Sequence, residues 1–332
     1  MGKLPNNELK KLLSCIKPDD RVLIPPLIGY DAGVHRIGDK YVAVASDPCT
    51  GVPEEWFGWL LINYAASDVA LLGAKPEFCT VTLLAPKDTK SQVFLEIMEQ
   101  TCKAANELSI AIVRGHTGMY ESVNSVIGVA TVYGTVEKEK LVTPKSIKDG
   151  DLILCTKPLG LESVSNFSIS YRETAQKLFG EAQQKRLSKQ VQMQGCVKEA
   201  LELARIEGVH ALHDATEGGL VAALNELSEA CQLGFSVGWE SVTFPDELLV
   251  LQRHFGFSDE QLLAVSSTGT IVAAIKPSAQ QKVKTLLEKM GLSPFVIGTF
   301  TKKPERIIQR NRVKMNFPRV ADDPYSNIFS GK

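Results

Sequence analysis

Neither G-x-x-x-x-G-K-[ST] nor G-x-G-x-x-G occurs in the sequence. The two commonest glycine-rich phosphate cradles are therefore missing, and any nucleotide must be held another way. There is no C-x-x-C pair among the seven cysteines, at 15, 49, 79, 102, 155, 196 and 231. Their odd number and wide spacing argue against a disulfide framework or a zinc ribbon. An excess of one charge is also missing, with 37 Lys and Arg against 38 Asp and Glu, so no overall field draws the chain to nucleic acid or to an anionic membrane. No run of 18 apolar residues occurs. The opening Met1-Gly2-Lys3-Leu4-Pro5-Asn6-Asn7-Glu8 turns polar at once, without the apolar stretch of a signal peptide, so the expected compartment is the cytoplasm.

What is present is a globular composition, 44% apolar and 23% charged over 332 residues, enough for two domains of about 150 residues each. Helical spacing of Leu9, Leu12, Leu13 and Ile16 predicts a first helix over 8–16, and strands are expected at 21–24 and 40–45. A long core-facing helix follows at 54–72, closed by Gly73 and Pro76. A strand at 78–84, a helix at 91–108, a strand at 110–114 and one long strand or a pair over 122–136 complete an alternating first half. Pro144, Ser146 and the turn Asp149-Gly150 set a boundary near 145. The second half carries a strand at 151–157, helical patterns over 161–180 and 185–207, a strand at 209–212, a helix at 217–231, and strands near 234–238, 268–275 and 294–300. The fold class is α/β and α+β in two domains, 1–145 and 146–332.

Three segments after expected strands are chemically loaded. They are Val44-Ala45-Ser46-Asp47-Pro48, with Asp31 upstream; Arg114-Gly115-His116-Thr117-Gly118; and His213-Asp214-Ala215-Thr216-Glu217-Gly218-Gly219, which opens a helix whose N–H groups favour anions. Asp31, Asp47, Asp68 and Asp214 sit among small residues, and carboxylates converging on one pocket suit Mg²⁺ bridging to phosphate. Taken singly, Asp47 before Pro48 also reads as a turn residue and Asp214 as a helix cap. Asp68 differs, because within the 54–72 helix it lies among Ala65, Ala66, Val69 and Ala70, where a lone carboxylate is costly to bury; it faces either a partner or a solvated seam. His210 and His213 form an H-x-x-H whose side chains would point to opposite faces of a strand, which excludes a two-histidine metal site. His116 reads as a phosphate contact or an ordinary loop histidine.

In order and content these segments resemble the superfamily of AIR synthase, selenophosphate synthetase, thiamine-monophosphate kinase and the hydrogenase maturation factor HypE. Ile28-Gly29-Tyr30-Asp31-Ala32-Gly33 is similar to its glycine-flanked acidic loop, and Ala45-Ser46-Asp47-Pro48 to its "TD" strand end. Ser67-Asp68-Val69-Ala70-Leu71-Leu72-Gly73-Ala74-Lys75-Pro76 matches its "ND-x-A-x-x-GA-x-P" helix end. Gly115-His116-Thr117 follows in place. His213-Asp214-Ala215-Thr216-Glu217-Gly218-Gly219 resembles the HypE-type "HD-x-T-x-GG", and Ser266-Ser267-Thr268-Gly269-Thr270 a later strand entry. The similarity spans about residues 5 to 300 and is closest to the HypE-like branch.

The resemblance implies a homodimer joined through the first domain's sheet. It implies ATP bound by Gly29, Asp31, Asp47, Ser67, Asp68, Gly115, His116, Thr117, Thr216, Glu217 and Gly218, with Mg²⁺ on Asp31, Asp47, Asp68 and Asp214. Asp47, Asp214 and His116 would be the catalytic residues. The implied chemistry is activation of an amide-type oxygen by phosphoryl transfer to a small-molecule or protein acceptor, in which positioning and charge neutralisation dominate. HypE closes on a tail cysteine that carries a carboxamido group, whereas the last cysteine here is Cys231. A non-catalytic ATP-binding scaffold in a maturation complex is the alternative.

Overall fold

The computed structural model describes Leu4 and residues 6–329. Its first half comprises α1 (Asn6–Leu13), β1 (Val22–Ile24), β2 (Gly33–Ile37), β3 (Lys40–Cys49), α2 (Phe57–Leu71), β4 (Phe78–Pro86), α3 (Ser91–Glu107), β5 (Ala111–Tyr120) and β6 (Ile127–Val136). The strands form one mixed sheet in the order β1-β2-β3-β6-β4-β5. β3 pairs antiparallel with β6, and β4 runs parallel to the edge strand β5.

Alternation decides which face is covered. Cys79, Val81, Leu83 and Ala85 of β4 are buried, as are Gly128, Ala130, Val132 and Gly134 of β6. The small residues of β6 let α2 lie close: a Cβ on Gly128 would meet Leu61 at 3.0 Å. α2 is buried on nearly every side, so it is a core helix rather than a surface one. The opposite sheet face, with Val42, Val44, Val129, Thr131 and Tyr133, is only half-buried.

The second half contains β7 (Leu152–Cys155), α4 (Leu161–Ser170), α5 (Arg172–Phe179), α6 (Glu181–Ser188), α7 (Val197–Ala204), β8 (Val209–Ala215), α8 (Gly219–Cys231), β9 (Gly234–Gly238), α9 (Asp246–Phe255), α10 (Asp259–Ala264), β10 (Ser267–Ile275), α11 (Gln280–Lys289), β11 (Phe295–Thr301), β12 (Arg306–Arg310), β13 (Val313–Asn316) and α12 (Tyr325–Phe329). A seven-stranded mixed sheet runs β13-β12-β9-β11-β7-β10-β8. Every residue of β10 is buried. Two mixed sheets with helices give the expected α/β and α+β architecture, and one apolar core links α2 to α7 and β8 across the two halves.

Several local expectations are corrected. β2 was not foreseen; it starts two residues after Asp31 and pairs with β3. Of the two readings of 122–136, one long strand or a pair, the single strand holds, and it starts at Ile127. The 185–207 pattern is broken at Lys189–Gln194 by a 3-10 turn, because Gly195 must pass against α2: a Cβ there would lie 2.5 Å from Asn63 Oδ1. Among the described residues no helix is long and apolar enough to cross a membrane.

Candidate active site

The three chemically loaded segments are largely strand. Asp47 lies inside β3, opposite Ala130 of β6, and not in a turn. It shares the face of Ala43, Ala45 and Cys49, which looks onto α2. Asp214 is the penultimate residue of β8, and α8 begins only at Gly219, so the helix-cap reading fails. The turn between them is made by two left-handed glycines, Gly218 (φ 80°) and Gly219 (φ 52°), and a Cβ on Gly219 would lie 2.4 Å from Val265 O.

α2, the strands and the loop before β2 bring four acids together. Asp68, half-buried on α2, is held well above the usual carboxylate range by burial and then by the charges of Asp47, Asp214 and Asp31, with a hydrogen bond to Asp47. The partner that an acid in an apolar helix requires is thus another acid sharing its proton. Asp31, His213 and Asp214 each offer a ligand atom within 4.8 Å of the others.

His213 ties the halves together. Its Nδ1 meets Asp31 of the first half, and its Nε2 lies 3.0 Å from Glu226 of α8. Burial alone would lower its basicity, but the Asp31 and Glu226 carboxylates outweigh that and raise its pKa to about 10. The ring is therefore a fixed imidazolium. His210 points the other way, to Asp151 at 2.6 Å, as the strand alternation requires. Gly29 (φ 82°) allows the Asp31 loop this approach: a Cβ on it would stand 2.7 Å from Glu226 O.

A cavity of about 590 Å³ opens beside Asp31, walled by Leu9, Leu13, Tyr30, Val34, Val44 and Ser46. That volume lies within the range of small-ligand sites. Four clustered carboxylates are hard oxygen donors, and the upward shift of Asp68 under the charges of the other three marks an excess that a hard divalent cation would offset, so the residues fit Mg²⁺.

Other expected site residues fall elsewhere. Ser67 is 1% exposed and its Oγ accepts the Cys196 N–H at 3.2 Å, so it joins the two halves instead of facing a ligand. Gly115, His116 and Thr117 lie within the exposed edge strand β5, not in a loop. β5 is three strands from β3, roughly 14 Å at the usual spacing. His116 Nε2 instead meets Tyr120 OH at 2.8 Å. Thr216 is half-buried and Glu217 exposed, while the Gly218 N–H is taken by Asp323 at 3.2 Å. His213, Glu226 and Asp323 were missed as functional residues; only the His-Asp pair of the motif hinted at the first.

Fold and site together define a two-domain protein with a carboxylate-lined centre where its halves meet. Residues 29–136 match the N-terminal domain, and 148–310 the C-terminal domain, of AIR synthase related protein, and the chain belongs to that family. It is 23% identical over 286 residues to a hydrogenase expression/formation protein of Methanocaldococcus jannaschii, covering 84% of this chain and 81% of that one. The fold is that of Escherichia coli HypE (TM-score 0.75, 19% identity, 98% of this chain and 100% of that one). It is likewise that of a HypE crystallised in complex with ATP (TM-score 0.72, 16% identity, 94% and 91%).

Proposed function

We propose that this chain is a cytoplasmic, ATP- and Mg²⁺-dependent enzyme that activates an amide-type oxygen by phosphoryl transfer, with a division between its domains near residue 145. The observation that carries this reading is the convergence of Asp31, Asp47, Asp68 and Asp214 where the two halves meet. The ATP complex of HypE supports the nucleotide, since that protein shares the fold. Mg²⁺, when bound, supplies charge neutralisation for the transferring phosphoryl group.

The chain's own residues do the rest. Asp47 and Asp68 would hold the cation together with Asp214, a third carboxylate from the other half, and the upward shift of Asp68 marks the charge that the cation would offset. His213 fixes Asp31 and Glu226 in place, so the metal-facing acids sit on rigid elements. We assign no step to His116. The half-buried sheet face supports a homodimer as the working form, and the M. jannaschii relative's name favours an acceptor in hydrogenase expression or formation, a small molecule or a protein.

The test is MgATP binding and hydrolysis by the purified chain and by Asp47→Asn. Metal-dependent turnover in the wild type, reduced by about two orders of magnitude in the variant, is expected for a group that neutralises transition-state charge. Equal turnover in both removes the site assignment, and binding without turnover favours the scaffold alternative.

A further inference from the structure

Another cavity, of about 410 Å³, opens between the halves, and none of the four aspartates lines it. Trp59 and Asn63, one turn apart on α2, and Glu107 at the end of α3 wall it from the first half. Lys157, Glu199 and Met290 wall it from the second. The volume lies within the range of small-ligand sites. Gly195 keeps it open, since a Cβ there would lie 2.5 Å from Asn63 Oδ1 and 3.2 Å from the Trp59 ring.

The side-chain donors of the inner wall are spent. Trp59 Nε1–H donates to Glu107 at 3.2 Å, and Asn63 Nδ2–H to Trp59 O at 2.9 Å. The Lys157 ammonium donates to Met193 O at 2.7 Å and Gly195 O at 3.0 Å, and pairs with Glu199 Oε1 at 2.5 Å. The acceptors are not spent. Among the described residues Asn63 Oδ1, Glu107 Oε1 and Glu199 Oε2 take no hydrogen bond, and none of the three is sealed. Asn63 is 4% exposed, so its free acceptor has this cavity to face.

The surrounding charges favour a cation. α3 and α11 both end at the cavity, with Leu108 and Met290 as their C-caps, and bring two negative helix ends to it. Glu107 is the last residue of α3, where a carboxylate without a cation beside it is unfavourable. On the other wall α7 begins with Glu199 in its first turn, and Lys157 balances that charge. The remaining charged lining residue, Lys198, is exposed and free to turn to solvent. We propose that this cavity binds a small organic cation, a primary ammonium carried on a flat apolar body. Its N–H groups answer the open acceptors of Asn63, Glu107 and Glu199, and its body rests on Trp59 and the thioethers of Met193 and Met290. An anion of the same shape finds no free donor on the inner wall. The site stands apart from the nucleotide reading and does not rest on it.

The probes are phenethylammonium and hydrocinnamate, matched in shape and opposite in charge, each titrated into the full chain and followed by calorimetry and saturation-transfer NMR. Phenethylammonium should bind at millimolar concentration or below, and hydrocinnamate should not. Glu107→Gln changes an exposed side chain and leaves the core untouched; it should weaken binding about tenfold, the factor lost with one charge-assisted hydrogen bond. Met290→Lys, which sets an ammonium into the half-buried wall, should abolish binding. Thermal melting checks that both variants fold. The aspartates attract any cation, so Asp47→Asn is titrated as well and should bind the probe as the wild type does. No binding of phenethylammonium, or equal binding of both probes, overturns the site. So does binding that Asp47→Asn removes, or binding that survives both Glu107→Gln and Met290→Lys.

Discussion

Asp68→Asn should make the metal-free protein more stable while removing its response to Mg²⁺. Asp68 is surrounded by Asp47, Asp214 and Asp31, and its carboxyl is held well above its usual range first by burial and then by those charges. A carboxylate pair about 4 Å apart costs roughly 4 kcal/mol at an effective dielectric of 20, which is why a proton stays. The sign follows from linkage: a carboxyl whose pKa rises on folding costs stability at every pH above its unfolded value of 3.8, and the cost fades as pH falls toward that value. Asparagine removes the titration, and its Nδ2–H still donates to Asp47. A gain of about 1–2 kcal/mol is expected at pH 7.5, typical of relieving strain at a functional site. For a chain of this size that is a rise in midpoint of roughly 1–3 °C. Thermal melting with EDTA, then across a Mg²⁺ titration, at pH 7.5 and 5.5, reads all of this. Wild type should gain stability with Mg²⁺ and the variant should not, and the gap between the metal-free proteins should narrow at pH 5.5. A variant that melts lower than wild type in EDTA, or that responds to Mg²⁺ as wild type does, refutes the reasoning.

Three further outcomes follow from separate contacts. His213→Gln should cost about 2–5 kcal/mol, because it leaves buried acids without their cation. Since the His213 pKa is raised from 6.5 to about 10, its contribution is complete below pH 6.5 and is lost as pH rises through 10; urea titrations from pH 6 to 10 should show wild type converging on the variant. The Lys157 ammonium, 3% exposed on its side chain, bonds Glu199 at 2.5 Å and the carbonyls of Met193 and Gly195; Lys157→Met should cost about 3–5 kcal/mol, and Lys157→Met with Glu199→Leu distinctly less, by chemical denaturation. If the open sheet face joins two copies, Val129→Asp should convert a dimer to a monomer in sedimentation velocity at micromolar concentration, and a wild-type monomer would remove that part of the proposal.

The acids were legible in the sequence for a reason that can be stated for Asp68 alone. Its neighbours Ala65, Ala66, Val69 and Ala70 are all buried, so a carboxylate on that helix needed an explanation. The strand ends were not legible, because Pro48 and the glycines of 115–118 read as breakers. Pairing across the sheet overrode them. Pro48 sits opposite Val129 of β6, past Val44 where β2 stops, so the other side of β3 has no neighbour in that sheet to miss its N–H. Gly115 is tolerated in β5 because a side chain there would lie 2.3 Å from Val81 O. The pairing of His213 was not legible for another reason: Asp31 is 182 residues away, and only the packed fold brings it near.

The balance of charge at the centre explains why four acids are kept there. Both nitrogens of His213 are committed to Asp31 and Glu226, so its positive charge offsets those two and not the Asp47–Asp68 pair. That pair answers with a shared proton, and Asp214 brings a further negative charge to within reach of it. A structural core would gain by losing one of these acids, because removing one of several like charges relieves their mutual repulsion. Retaining them makes physical sense where a hard cation is to balance their charge.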